Sequence, residues 1–231
     1  MYSKLLLGLC LTASMASASA TTTITGTKDY GGATVGTSCD GQSESQAPVF
    51  YLTDGATLKN VVIKAGAAAD GVHCAGNCTL SNVKWPDVCE DAATMKGGSG
   101  KTMTVTGGSA ANASDKVFQH NGIGSKISIS GFTATTIGKL YRSCGNCSNN
   151  GGPRYMQVSS TKITTKPSSG DAIGLNSNFG DKATIRTLTV KTGTAVCVAY
   201  TGVQKGSESP RIGEKWNTAN CDVSKSDITY N

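Results

Sequence analysis

The chain has 231 residues, with 29 glycines, nine cysteines, five prolines, 6% aromatic residues, and 21 basic against 15 acidic side chains for a net charge of +6. This length can bury one good core, and a Gly-rich, aromatic-poor composition argues against a helical protein. The modest basic excess suits an acidic partner; neither a nucleic acid nor a membrane is expected as one.

Residues 1–20, MYSKLLLGLCLTASMASASA, carry Lys4, an apolar run from Leu5 to Leu11 and the small triplet Ala18-Ser19-Ala20. This pattern predicts a secretory signal peptide cleaved near Ala20, too short to span a membrane. With Lys4 removed, 20 basic residues face 15 acidic ones, a net charge of +5. The expected product is a secreted, extracellular monomer consisting of one domain, residues 21–231. Cys10 falls in the leader, which leaves Cys39, Cys74, Cys78, Cys89, Cys144, Cys147, Cys197 and Cys221. In an exported chain these predict up to four disulfides, whose pairing the sequence does not choose. The close spacings Cys74-x3-Cys78 and Cys144-x2-Cys147 could also suggest zinc, but export and the lack of a second ligand set favour disulfides. Sequons at Asn77, Asn112 and Asn146 imply exposed turns.

Residues 21–48 are rich in Thr, Gly and Ser and read as an irregular N-terminal cap with little strand, tethered by Cys39. From Val49 onward, apolar alternation recurs at 58–63, 79–85, 102–105, 127–132, 156–163 and 185–190. A second short strand is expected after each, at 70–74, 91–95, 116–120, 139–143, 171–175 and 195–199, with small residues between. No stretch holds a helical period. Six such units cannot each bury an apolar face alone, so the expected fold is all-β: a single-domain right-handed parallel β-helix, or solenoid. Asn60 and Asn82 are candidate turn or stacking positions. A β-sandwich is the alternative that short alternating strands leave open.

If the units stack as coils, Asp70, Asp91, Lys116 and Lys139 form one column, at steps of 21, 25 and 23 residues. Adjacent strands lie ~4.8 Å apart, and two carboxylates at about that distance repel by ~3 kcal/mol at an effective dielectric of 20. A calcium ion, which prefers carboxylate oxygens, would settle Asp70, Asp91 and the neighbouring Glu90. Lys116 and Lys139 would be settled by an anion lying across them, with Arg142 nearby. Strict alternation would put Lys139 and Arg142 on opposite faces, so a bend near Tyr141 is required for both to meet one ligand. The alternative is a solvated ladder of salt bridges with Asp91 facing Lys116; the acid, acid, base, base order favours a site, since ordinary ladders alternate signs more often. His73 and His120 are expected to pack or to contact the rim. Trp85 and Tyr141 could serve as core, rim or sugar platform.

A ligand that spans calcium and a basic row is most simply a polycarboxylate such as polygalacturonate, whose C5 proton is α to a carboxylate. The blocks DGVHC (Asp70–Cys74), NVKWPDVCEDAATMKG (Asn82–Gly97), DKVFQHNG (Asp115–Gly122) and GKLYRSCGNC (Gly138–Cys147) resemble the signature segments of the third family of polysaccharide lyases, the pectate lyases, over about residues 58–200. The resemblance implies a compact parallel β-helix and calcium-dependent β-elimination of de-esterified pectin. It also implies Asp70, Glu90 and Asp91 as calcium ligands, Lys116 and Lys139 as binders of substrate carboxylates, and Arg142 as the base, with Lys139 as the alternative base. Residues 21–57 and the Gly- and Asn-rich stretch from Asn149 to Pro153 fit the family pattern poorly. Two rivals are a galacturonan hydrolase using Asp87 or Asp91 as acid and base, and a non-catalytic solenoid binding ice or cell-wall sugar through threonines such as Thr102–Thr106.

Overall fold

The computed structural model describes residues 21–36, 39, 46–64 and 70–231. The expected signal peptide, residues 1–20, lies outside the described residues. Among the described residues the regular secondary structure is strand apart from two short 3₁₀ turns, Ser177–Phe179 and Lys225–Asp227, and no helix is long and apolar enough to cross a membrane. The strands form a 15-stranded and an 8-stranded sheet. All pair in parallel except Arg211–Glu214, which runs antiparallel to Ala195–Tyr200. Parallel pairing between successive coils is the solenoid expected from the repeats and excludes the β-sandwich.

Three faces build the coil. One is the 8-stranded sheet, from Thr27–Asp29 through Thr102–Thr106 to Cys221–Asp222. The long strands Ser109–His120 and Thr133–Ser143 run through two further faces and join them into the larger sheet. The face that matters for function contains Val72–Cys74, Ala93–Met95, the second halves of those two long strands, Asp171–Asn176 and Ala195–Tyr200.

Like side chains stack inside. Val72, Ala93, Phe118, Tyr141, Ile173 and Cys197 form one inward column, and Leu58, Leu80, Val105, Ile129, Val158 and Ile185 another. Burial of each column removes apolar area from water at roughly 25 cal/mol per Å². Trp85 packs edge-on to Phe118 with centroids 6.4 Å apart, and Phe118 lies 5.2 Å from Phe132. Trp85 and Tyr141 are 2% and 1% exposed, so both belong to the core and neither is a sugar platform.

Corners repeat as well. Asn60, Asn82, Gly107, Gly131, Ser160 and Thr187 all take positive φ where one strand of the 8-stranded sheet ends. This left-handed bend is least costly for Gly and Asn. Asn82 Nδ2 donates to Asn60 Oδ1 at 3.0 Å, and Asn60 Nδ2 donates to Asp29, so the corner asparagines stack as expected.

The ends of the solenoid differ from the sequence reading. The region read as a cap holds three short strands, Thr22–Ile24, Thr27–Asp29 and Thr34–Val35, each paired in register with the next coil. Runs of two or three residues are too short to show alternation, which is why six units were legible and the sheet has eight strands. Four disulfides join Cys39–Cys89, Cys74–Cys78, Cys144–Cys147 and Cys197–Cys221, so both close spacings hold bridges rather than zinc.

Candidate active site

All six charged residues singled out in the sequence lie on one face. Lys116 is in register with Lys139 and Gln119 with Arg142, while Thr94 is in register with both His73 and Gln119. Counting back three residues puts Asp70 and Asp91 in the lysine column. The bend required near Tyr141 takes a simple form. Leu140 and Tyr141 both enter the core, so the chain turns inward for two residues and Lys139 and Arg142 both line one groove. Val117 and Phe118 do the same between Lys116 and Gln119.

A bulge sets the lysines' register. Ala113 pairs with Ile137 but Lys116 with Lys139, so the first strand carries one extra residue at Ser114-Asp115. Such an insertion re-aims side chains, and here it turns Asp115 over the lysine row. Gly138 lies directly beneath, where a Cβ would overlap the Asp115 carbonyl oxygen.

Asp70, Glu90 and Asp91 are all buried, and each offers a carboxylate oxygen within 4.8 Å of the others. His73 Nε2 lies 2.6 Å from Asp70 Oδ2. Burial alone would raise the Asp70 carboxyl, but the hydrogen bonds to His73 and Glu90 outweigh it and hold it below the usual aspartate range. Glu90 takes the opposite course. Burial, its hydrogen bond to Asp70 and the Asp91 charge push it up to about 10. Glu90 Oε2 is buried without a hydrogen-bond donor. A cluster of buried carboxylates, one of which must keep its proton in the absence of a cation, fits a hard divalent metal with oxygen ligands.

Lys116 connects the acids to the basic row. Its Nζ lies 3.3 Å from Glu90 Oε1, 3.3 Å from Asp91 Oδ1 and 3.1 Å from Asp115 Oδ2. Asp115 Oδ1 reaches Lys139 Nζ at 3.8 Å. The contact between Asp91 and Lys116 expected of a salt-bridge ladder is therefore present. It is buried, however, and a buried pair is poor evidence for stability alone. Asp115, which sequence reasoning passed over, holds the place between the lysines that had been reserved for an external anion. Its position beside Lys116 was visible, but the bulge that swings it over the row was not.

Arg142 closes the groove. It is 9% exposed. Its Nη1 donates to Ser143 O at 2.7 Å and Asn176 Oδ1 at 2.8 Å, and its Nη2 donates to Ser209 Oγ at 2.8 Å. All three acceptors are neutral. Burial lowers its proton affinity below that of an ordinary guanidinium, against the partly opposing pull of Tyr200, Tyr141, Asp181 and Asp115. The groove of about 550 Å³ is walled on one side by Lys205, Glu208 and Ser209. Their loop is tied to the opposite wall, as Val203 N donates to Gly145 O and Asn146 Nδ2 to Ser207 O. Asn150 and Arg154, in and beside the Gly- and Asn-rich stretch, anchor it: Asn150 Nδ2 donates to Val203 O, and Arg154 Nη2 to Asn150 Oδ1. His120 is fully buried between Tyr141 Oη (2.9 Å) and Ser125 Oγ (2.7 Å), a packing role, whereas His73 joins the acidic cluster.

Threonines do align on the far sheet, where Thr27, Thr57, Thr79 and Thr104 are in register on successive coils, but Ser128 and Gln157 continue the row. Threonine is also simply a good strand residue.

Comparison with known proteins decides among the readings. The sequence profile of the pectate lyase family matches residues 10–207. Pectate lyase E of Emericella nidulans is 44% identical over 210 residues, spanning 88% of this chain and 79% of that protein. The crystal structure of the catalytic domain of pectate lyase PelI from Erwinia chrysanthemi superposes with a TM-score of 0.81 at 44% identity, covering 92% of this chain and 100% of that one. PelI in complex with tetragalacturonic acid gives 0.80 at 47% identity, with 89% and 68% covered. The hydrolase and the purely binding solenoid fall away, and the chain belongs to the pectate lyase family.

Proposed function

We propose that this pectate lyase cleaves de-esterified α-1,4-polygalacturonate by calcium-dependent β-elimination, with Asp70, Glu90 and Asp91 holding the calcium, Lys116 and Lys139 binding substrate carboxylates, and Arg142 taking the C5 proton. One observation carries this reading: the buried acids and the lysine row follow one another on consecutive coils of a single face, with Arg142 held beside them by neutral oxygens.

Bound calcium would supply a Lewis acid at the substrate carboxylate, where negative charge grows as C5 loses its proton. The chain's own groups do the rest. Lys116 and Lys139 draw a carboxylate of the sugar into the place Asp115 holds between them, which orients the ring and adds positive charge beside the developing enolate. Arg142 must be neutral to accept a proton, and guanidinium rarely is. Burial, together with hydrogen-bond partners that carry no charge, makes this groove one of the few settings that lower the cost. The electron pair of the C5–H bond then forms the C4–C5 double bond. The C4–O bond breaks, giving a 4,5-unsaturated sugar and a new chain end. Lys139 is the alternative base, and the two are separated by whether Arg142→Ala or Lys139→Ala abolishes turnover at saturating substrate.

The enzyme acts outside the cell as a monomer, with residues 1–20 as the removed leader. The test is the ultraviolet absorbance of the unsaturated product formed from polygalacturonate. It should appear with added calcium and vanish with a chelator; chain cleavage without that absorbance would refute elimination.

A further inference from the structure

One coil beyond Lys139 a buried acid has no part in the proposed reaction. Asp171 follows Lys139 on the next coil, since Gly174 is in register with Arg142, and its side chain is 2% exposed. Three donors converge on it: Tyr200 Oη at 2.5 Å from Oδ2, Arg211 Nε at 3.0 Å from Oδ2, and Arg211 Nη2 at 2.9 Å from Oδ1. The ring of that same Tyr200 lies against Arg142, whose Cζ is 4.2 Å from the ring centroid. The space between them admits nothing more. A Cβ on Gly174 would come within 2.8 Å of Arg142 Cδ and 3.0 Å of Tyr200 Cε2.

The hydrogen bonds to Ser143, Asn176 and Ser209 hold the guanidinium at its edges, where its N–H groups point, and the Tyr200 ring is the surface its central carbon rests on. We propose that Tyr200 is a positioning residue for Arg142: its ring is the wall that fixes the guanidinium plane toward the groove, and Asp171 with Arg211 clamps the ring by its phenol oxygen. A tyrosine fastened at both ends of its ring has little freedom, so the arginine it touches inherits a fixed tilt. Asp171 is itself held by Arg211 and takes no hydrogen bond from Arg142, which leaves Arg142 among neutral oxygens.

This inference rests on the assignment of Arg142 to proton transfer, and the test separates the two. Kinetics on polygalacturonate with calcium, calorimetric calcium titration and thermal melting are measured for Tyr200→Leu, Tyr200→Phe and Arg142→Ala. Tyr200→Leu is expected to lower kcat by about tenfold or more, the scale of a small misplacement of a reacting group, with KM and calcium affinity within about twofold. Tyr200→Phe keeps the ring but releases the clamp, and its kcat is expected about threefold below wild type, between that of Tyr200→Leu and the native enzyme. If Tyr200→Leu does not fold, Tyr200→Met, which fills similar space without a flat face, takes its place with the same expected loss. A folded Leu or Met variant with normal kcat, or a loss seen equally in KM and calcium affinity and not relieved by Phe, overturns the role of Tyr200. An active Arg142→Ala overturns the assignment beneath it, whatever Tyr200 does.

Discussion

Lys116 Nζ lies 3.3 Å from Asp91 Oδ1 across two adjacent coils, with Glu90 Oε1 at the same distance. Without metal, an ammonium group of the chain thus offsets part of the charge of the acidic cluster, and the Glu90 proton offsets more. Calcium entering among these oxygens must contend with both.

The first expectation concerns that proton. Glu90, pushed up to about 10, is protonated at neutral pH in the metal-free protein and must be ionised to serve as a ligand. Calcium binding near pH 7 should therefore release about one proton. Calorimetry in two buffers of different ionisation enthalpy measures it. The release should be absent in Glu90→Gln, and Lys116→Met should bind calcium about tenfold more tightly, having lost a repelling charge, while losing turnover.

Arg142→Ala should lower kcat by about 10² to 10⁴, the usual range for a general base, and should also cost about 1 to 3 kcal/mol of stability, because it strips a hydrogen bond from the buried acceptors Ser143 O and Asn176 Oδ1. Arg142→Lys restores charge without the planar fork and should recover little. Steady-state kinetics of the two variants check this directly.

His120 predicts an acid limit to stability. Burial, reinforced by the Arg154 charge, pushes its imidazole down to about 3 from an ordinary 6.5. Below pH 6.5 the unfolded chain takes up a proton that the folded chain refuses. The contribution of His120 is therefore complete above that pH and is lost as pH falls toward 3, at up to about 1.4 kcal/mol per pH unit. Urea unfolding across this window should show the slope, and His120→Gln should flatten it.

Gly138 supports the bulge from below. An alanine there would strike the Asp115 carbonyl, so Gly138→Ala should cost about 1 to 3 kcal/mol of stability, as overpacking does. It should also displace Asp115 from the lysine row. Melting curves and activity, compared with Gly151→Ala, where a Cβ meets only Ile123 at 3.5 Å, separate the local clash from a general glycine effect.

What the sequence by itself determined was whatever repeats locally. Alternating apolar residues followed by DGVHC, EDAATMK, DKVFQHNG and GKLYRSCGNC mark the inner strands, and similar coil lengths bring Asp70, Asp91, Lys116 and Lys139 into one column, because stacking in register turns a linear period into a spatial row. Asn60 and Asn82 were legible as corners for the same reason, since a left-handed bend limits which residues can fill it. The tertiary structure decided the rest. The four disulfide pairings, the loop that walls the groove from Lys205 to Ser209, and the Arg211–Asp171–Tyr200 clamp join residues up to 67 positions apart with no shared period. The bulge at Ser114-Asp115 breaks the period itself, and one inserted residue changes which side chain faces the lysines without altering the composition of the strand.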